Sequence, residues 1–202
     1  MLLINKLEFK RLNTVIFSDI NISLNPGKIL FIKGTNGSGK TTLLKTILNI
    51  LNPTDGEIYW MSKNIKKNIF KFYNNVTFIM DKPTAIKEMT LIENINIWKK
   101  FSNSKINDEE INNLIKILNL EKYLNKQVNN LSLGEIKKLE LSRLIIEQKK
   151  LWFLDEPFSH LDKISLDLIV QTFIDHTNNN GSIIFSSHLD PDIKNIETLN
   201  LS

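Results

Sequence analysis

The sequence of 202 residues contains no cysteine, and only two of its 26 basic residues are arginines, Arg11 and Arg143. The absence of cysteine excludes a disulfide framework, a thiol nucleophile and any Cys-ligated zinc or iron–sulfur site. No apolar run approaches the ~18 residues that a membrane-spanning helix needs. Residues 1–6 lack a charged stretch followed by an apolar one, so we expect no signal peptide.

The chain also lacks any block of five or more lysines or arginines, although its formal net charge is +4. It is rich in Asn, Ile and Lys, whose codons are rich in A and T, so the basic excess is explained by a biased genome. We therefore expect no nucleic-acid partner. With 42% hydrophobic and 24% charged residues, the composition is that of an ordinary globular protein.

Short apolar segments alternate with segments of helical periodicity, which predicts an α/β fold with a mainly parallel sheet and helices on both faces. The predicted strands are 28–33, 151–154 and 183–186, and the predicted helices are 43–51 and 164–176.

Four other segments alternate like half-exposed antiparallel strands: 7–9, 20–24, 57–60 and 75–80. From 90 to 150 the pattern is helical, and Ile111, Leu114, Ile115 and Leu118 share one face. We therefore predict a single domain over 1–202, with its core at about 1–85 and 150–202 and an inserted helical subdomain at about 86–149.

A phosphate-binding loop lies between the first buried strand and the helix after it, where the sequence fits G-x-x-x-x-G-K-[ST]. Glycines let backbone N–H groups surround phosphate oxygens, and the helix start adds partial positive charge. Lys40 is predicted to reach the β- and γ-phosphates, and the Thr41 hydroxyl to bind Mg²⁺. A plain glycine-rich turn is the alternative. The predicted nucleotide-binding residues are Gly34, Thr35, Asn36, Gly37, Ser38, Gly39, Lys40, Thr41 and Thr42.

Two acids follow the strand 151–154, at the edge of the sheet where open α/β folds bind ligands. Asp155 is predicted to hold the metal through water, with a helix N-cap as the alternative. Glu156 is predicted to orient or deprotonate the attacking water. His188, just after another strand, would face the γ-phosphate, although a lone histidine is often structural.

A second anion site is predicted at 131–135 (LSLGE), just before a helix over 136–147. Ser132 and the amides at Gly134 would form it. Because one triphosphate already has its loop, this site would serve the nucleotide of another subunit. An ordinary serine N-cap is the alternative.

Taken together, these motifs resemble the ATP-binding cassette (ABC) ATPases over nearly the whole chain. The matching segments are 34–42, 131–135, 151–156, the SHLD loop 159–162, and His188. The resemblance implies ATP with Mg²⁺ as cofactors and a head-to-tail dimer, predicted to be a homodimer. Each site would join one subunit's phosphate loop to Ser132, Gly134 and Glu135 of the other, and Asp162 would make contacts across the interface.

A narrower likeness to the ATP-binding subunits of cytochrome c maturation transporters lies in 56–60, 82–83, 91–94 and 151–162. It implies an ATP-hydrolysing subunit that drives an integral membrane permease in heme export. Such a subunit lies on the cytoplasmic face of the inner membrane, or on the matrix side of the mitochondrial one. The alternatives are an exporter of lipid, drug or lipoprotein, and a hydrolysis-impaired ABC partner.

Three positions depart from the pattern of the ABC family. Lys82 stands where the family has a glutamine, which would bring a cation near Mg²⁺ and the γ-phosphate. Glu135 replaces a glutamine. No aromatic residue stands at the adenine-stacking position, and Arg11 would stack there instead. Arg11 and Arg143 are predicted to mark places where a planar fork is needed and lysine does not serve.

Overall fold

The computed structural model describes residues 1–188 and 193–201. The first part of the chain forms an antiparallel sheet, as the alternation of its residues predicts. Its strands, in the spatial order β2-β1-β4-β5, are β1 (Leu2–Arg11), β2 (Thr14–Leu24), β4 (Asp55–Trp60) and β5 (Lys63–Asn64).

A second sheet has five strands, and every pair in it is parallel. In the spatial order β6-β7-β8-β3-β9, it consists of β3 (Ile29–Lys33), β6 (Val76–Ile79), β7 (Leu151–Asp155), β8 (Ser182–Ser187) and β9 (Glu197–Asn200). The mainly parallel core sheet is confirmed.

The predicted orientation of the segment 75–80 is wrong. This segment forms β6, which pairs parallel with β7. Its residues alternate between buried and half-buried because β6 is an edge strand of the parallel sheet and its cover is incomplete. Alternation reports burial on one face only, so it does not fix the direction of the neighbouring strand.

Six α-helices complete the described chain together with three short 3₁₀ turns. They are α1 (Lys40–Ile47), α2 (Ile69–Tyr73), α3 (Leu91–Phe101), α4 (Asp108–Ile117), α5 (Leu133–Ile146) and α6 (Lys163–Asn178). Helices α3, α4 and α5 each begin with a capping box, in which a glutamate three residues after the N-cap bonds back to it. Helix α1 ends earlier than predicted, because Asn49 adopts a left-handed conformation.

Alternate residues of the parallel strands pack against helices on opposite faces of the sheet. Leu30 and Ile32 of β3 join one hydrophobic cluster with α1 and the antiparallel sheet. Ile29 and Phe31 join another with α5 and α6, where the rings of Phe31 and Phe185 stack at 4.9 Å. Helices therefore cover both faces, as predicted, and the carboxyl ends of the strands stay open.

A third hydrophobic cluster holds α3, α4 and α5 together apart from the sheets. Ile111, Ile115 and Leu118 are buried in it, and Leu114 packs against it, so the predicted apolar face of α4 is confirmed. The boundaries of the domain and of its helical subdomain stay predictions.

Replacing Phe153 with alanine should lower the free energy of unfolding by about 3–5 kcal/mol, because the ring is fully buried in an interior strand. Urea unfolding followed by circular dichroism measures this. The matched control is Phe70→Ala, whose ring is 84% exposed and whose loss should change stability by less than ~0.5 kcal/mol. Equal losses in the two variants would contradict this packing.

Candidate nucleotide-binding and catalytic site

The loop between β3 and α1 wraps around the ammonium group of Lys40. This side chain is only 6% exposed. Its Nζ donates to the backbone oxygens of Gly34 (2.8 Å) and Thr35 (3.1 Å), and the Ser38 amide closes the turn by donating to the Thr35 oxygen (3.2 Å). A positive charge therefore lies inside a loop whose other groups are uncharged.

Helix α1 begins at this loop with its first amides free of any side-chain cap. Its N-cap is Gly39, whose φ of 97° favours glycine, and no described side chain accepts from the first turn. The Ser38 hydroxyl is buried and has no hydrogen-bond partner among the described residues. These uncapped donors and the helix dipole suit an anion.

Asp155, at the end of β7, faces the loop. Its Oδ2 accepts a hydrogen bond from the Thr41 hydroxyl at 2.7 Å, and its Oδ1 accepts one from the Ser186 hydroxyl at 2.5 Å. The carboxylate is therefore engaged by hydroxyls on both sides, not by a helix start. Thr41 and Asp155 together offer the hard oxygen ligands that Mg²⁺ prefers.

The Glu156 carboxylate lies between the side chains of His188 and Lys40, two other residues predicted to act at the site. Its Oε2 is 3.0 Å from His188 Nδ1 and accepts from the His188 amide at 3.3 Å, and its Oε1 is 3.8 Å from Lys40 Nζ. Its backbone adopts a φ of 48°, in the left-handed region. Such a conformation in a residue other than glycine is costly, and it concentrates at functional sites.

Lys40, Thr41, Asp155 and Glu156 line one cleft of about 360 Å³, whereas His188 reaches Glu156 without lining it. It is bounded by Arg11, Asn36, Gly37, Gly39, Lys40, Thr41, Thr42, Asp81, Asp155 and Glu156. Arg11 thus lies at the cleft, as its predicted stacking on the adenine ring requires. Lys82 is exposed and is not among these lining residues. Its place near Mg²⁺ and the γ-phosphate stays a prediction.

Asp81 lines the cleft in place of Lys82 and was missed in the sequence. The signal was present: Asp81 follows a short apolar strand, as Asp155 does. The wrong orientation assigned to β6 hid it. Because β6 runs parallel to β7, the residues after both strands reach the same edge of the sheet.

The predicted second anion site lies at the start of α5. The helix begins at Leu133, three residues before the predicted start, and Ser132 is its N-cap. The Ser132 hydroxyl accepts from the Glu135 amide (3.3 Å), while Glu135 Oε2 accepts from the Ser132 amide (2.7 Å). The N-cap alternative is therefore realised within this chain, and Ser132 does not line the cleft.

Asp162 connects the SHLD loop to two helices. Its Oδ1 accepts from the Ser165 amide at the start of α6 (2.8 Å), and its Oδ2 is 3.2 Å from Lys138 Nζ on α5. In the same loop, the backbone oxygen of His160 would lie 3.0 Å from a Cβ added to Gly134. The predicted contacts of Asp162 across a dimer interface stay a prediction.

Comparison with known proteins places this site in a family. A family model described as ABC transporter matches residues 17–159. The cytochrome c biogenesis ATP-binding export protein CcmA of Reclinomonas americana is 38% identical, over 91% of this chain and 83% of its own length. The protein of the same name from Rickettsia felis is 36% identical over 100% of both chains.

The chain belongs to the ABC transporter family, in the branch of these cytochrome c biogenesis ATP-binding proteins. It is an ATP-binding, ATP-hydrolysing subunit of a transporter complex. A dimeric ATP-binding cassette solved in a post-hydrolysis state with ADP and Pi shares its fold, with a TM-score of 0.86 over 100% of this chain and 94% of the other. At 20% identity, that likeness concerns the fold alone.

One further cation of this ABC ATPase was missed in the sequence. Lys137 of α5 is 4% exposed, and its ammonium has no hydrogen-bond partner among the described residues. Burial lowers its pKa, and attraction to nearby carboxylates opposes that shift. These carboxylates belong to Asp81, Asp155, Glu140 and Glu156. The acids of the cleft thus have a buried positive charge beside them.

Arg143 of this ABC ATPase does make the forked contacts predicted for it, away from the cleft. Its Nε lies 2.6 Å from Glu147 Oε1, and its Nη1 lies 3.2 Å from Glu140 Oε2. The guanidinium also lies over the Trp98 ring, 5.3 Å from its centroid. A lysine ammonium does not reproduce this planar, multiple contact.

The Ser165 amide and then the Lys138 ammonium hold the pKa of Asp162 at about 2, well below its ordinary value. A carboxyl whose pKa is depressed on folding stabilises the fold above its unfolded pKa, ~3.9, and this contribution is lost as the pH falls through the folded pKa. Wild type should therefore lose the charge-dependent part of its stability advantage over Asp162→Ala between about pH 4 and pH 2.

Urea unfolding of both proteins at several pH values measures this difference. The matched control is Asp162→Asn, which keeps the N-cap without an ionisable group. Its advantage over Asp162→Ala should be independent of pH. A wild-type advantage that stays constant from pH 5 to pH 2 would contradict the assigned contacts.

Proposed function

We propose that this protein binds Mg·ATP in the cleft around Lys40 and hydrolyses it there to drive a membrane transporter for cytochrome c biogenesis. The observation that carries this proposal is the convergence of Lys40, Thr41, Asp155 and Glu156 at the carboxyl edge of the parallel sheet. A cation, two oxygen ligands and a base next to a helix start are the groups that phosphoryl transfer needs.

Within this site, Lys40 and the first amides of α1 bind the phosphates. Thr41 and Asp155 are the residues that would hold Mg²⁺, and the bound ion would neutralise charge on the phosphate oxygens. Among residues 1–188 and 193–201 no three acidic or histidine side chains are close enough to hold a metal alone. The donor set thus fits an ion that shares its coordination with nucleotide and water.

Glu156 positions the attacking water and accepts its proton. Its Oε1 faces the Lys40 ammonium while Oε2 contacts His188, so one carboxylate touches both a phosphate-binding group and an imidazole. His188 fixes the orientation of Glu156 through two contacts, one from the ring and one from the backbone amide. These contacts hold the Glu156 carboxylate at the cleft. Glu156 then acts as the base, and the mechanism needs no second protein base.

Two copies of the chain would complete each nucleotide site. The capped start of α5, with Ser132, Gly134 and Glu135, has the positive end of a helix dipole and does not line the chain's own cleft. A second copy facing head-to-tail would bring that helix end to the triphosphate. Asp162 lies beside the same helix, where it would make contacts across the interface when the two subunits close.

The proposed partner is an integral membrane permease, and the proposed cargo is heme. No helix in the described part of the chain is long and apolar enough to cross a bilayer. The relatives are named as export proteins of cytochrome c biogenesis, which supports assigning this chain to the same process. We place it peripherally at the membrane, docked through the segment 82–93 where core and helical cluster meet.

Replacing Glu156 with glutamine should lower kcat for ATP hydrolysis about a hundredfold, or ~3 kcal/mol, while ATP binding persists. The variant should also accumulate as an ATP-bound dimer, because closure precedes hydrolysis. Phosphate release and sedimentation velocity with Mg·ATP measure both effects. Glu109→Gln on the exposed face of α4 is the matched control and should behave as wild type. Rapid turnover by Glu156→Gln would contradict the assigned base.

Depleting the protein in its own cells should lower the amount of heme-bearing c-type cytochromes, as measured by heme staining. Re-expression of wild type should restore them, and Glu156→Gln should not. A tagged copy should co-purify from detergent-solubilised membranes with one integral membrane protein. Normal cytochrome levels after depletion would reject the proposed process but leave the ATPase assignment standing.

A further inference from the structure

Helix α5 and its C-cap carry a stripe of charged side chains that are buried or half-buried. The stripe consists of Lys137, Glu140, Arg143 and Glu147, spaced three, three and four residues apart, so all four lie on one face of the helix. The signs of the charges alternate along it. Burial of a charged group is costly unless ion pairs or hydrogen bonds offset it. The ammonium of Lys137 has nearby carboxylates but no hydrogen-bond partner among the described residues, whereas the other three side chains make direct contacts.

Glu140 holds the chain just after Asp81. Its side chain is 1% exposed. Its Oε1 accepts from the backbone amides of Thr84 and of Ala85, the latter at 2.6 Å, and its Oε2 accepts from the Thr84 hydroxyl at 3.0 Å. One buried carboxylate thus satisfies two consecutive amides and a hydroxyl. We name residues 81–85 the anchored segment.

The rest of the stripe extends this attachment to the core sheet. Arg143 Nη1 donates to the Thr84 hydroxyl oxygen at 3.0 Å and lies 3.2 Å from Glu140 Oε2. Glu147 pairs with Arg143 and accepts from the Thr77 hydroxyl of β6 at 2.7 Å. The network therefore joins α5, the anchored segment and β6 through polar contacts that are largely withdrawn from water.

The chain is fixed again directly after the anchored segment. Asn94 of α3 is 1% exposed, and its side chain bonds both the amide (2.7 Å) and the carbonyl (3.1 Å) of Ile86. The described hydrogen bonds between the segment and α5 come from Glu140 and Arg143. Ala85 also lies in one hydrophobic cluster with Leu139 and Ile146 of that helix.

We propose that Glu140 is a positioning residue for ATP hydrolysis. It holds the anchored segment against α5, so that Asp81 stays at the nucleotide cleft and the segment moves together with the helix that Ser132 caps. This inference rests on the proposed function, because it assigns Glu140 a part in the hydrolysis at that cleft. The proposal thus connects two parts of the same chain. One is the nucleotide cleft, and the other is the start of α5, which is the surface proposed to face a second copy.

The test is Glu140→Gln, which keeps the shape of the side chain but removes the charge that two amides share. Hydrogen exchange at the Thr84 and Ala85 amides, resolved by NMR, should accelerate at least tenfold. The kcat for ATP should fall at least tenfold, while KM changes less than threefold because the phosphate loop is untouched. A purely structural role would not produce this split.

The matched control is Glu147→Gln, which removes the same charge from the same stripe but touches neither amide. It should leave exchange at Thr84 and Ala85, and kcat, within twofold of wild type. Equal effects in the two variants would mean that the stripe acts through general stability, and the proposal would be wrong. Wild-type exchange and kcat in Glu140→Gln would also overturn it.

Glu140→Asp is the second variant should Glu140→Gln not fold. Its side chain keeps the charge but is shorter by one methylene, so the carboxylate no longer reaches the two amides. The same changes in exchange and kcat are therefore expected. A wild-type protein without ATPase activity would reject the proposed function alone, since the exchange experiment needs no turnover. Hydrogen exchange at Thr84 and Ala85 that stays as slow as in wild type in both Glu140 variants would reject the proposed role of Glu140. It would leave the proposed function standing.

Discussion

The site depends on one hydrogen bond between elements that are far apart in the chain, from the Thr41 hydroxyl to Asp155. Thr41 follows β3 and Asp155 ends β7, and β8 lies between these strands. The contact forms because the parallel register sets the carboxyl ends level: Lys33 pairs with Ser187, and Asp155 with Ser186. The Ser186 hydroxyl of β8 donates to the other carboxylate oxygen of Asp155. A change of register by one residue would turn Asp155 to the other face and dissolve the site.

The charges of the interior follow a second constraint, which is that they are balanced locally. Asp155 and Glu156 face the cations of Lys40 and Lys137, and the stripe of α5 holds two positive and two negative groups. Buried ion pairs of this kind contribute little net stability, because desolvation offsets their attraction. Their geometric demands are strict, so they fix how α5 sits against the sheet and against the anchored segment.

The sequence alone predicts those parts of the site that are local in the chain. The phosphate loop, the acids after β7 and the serine of 131–135 are recognised because each chemistry is contained in a few consecutive residues. Asp81 was missed because its meaning depends on the direction of β6, which is set by a partner strand 75 residues away. Lys137 and Glu140 were missed because a charged residue in a helix is usually exposed, whereas tertiary packing buries these two.

Helix α5 joins the capped serine at one end to the charged stripe along its length, with no break between them. One residue inserted between Ser132 and Glu140 would rotate the stripe by about 100° relative to the cap, and a second would rotate it by about 200°. We therefore expect point substitutions on the outer face of this helix to be tolerated better than insertions or deletions. The spacing of eight residues between Ser132 and Glu140 is itself a constraint on how this chain evolves.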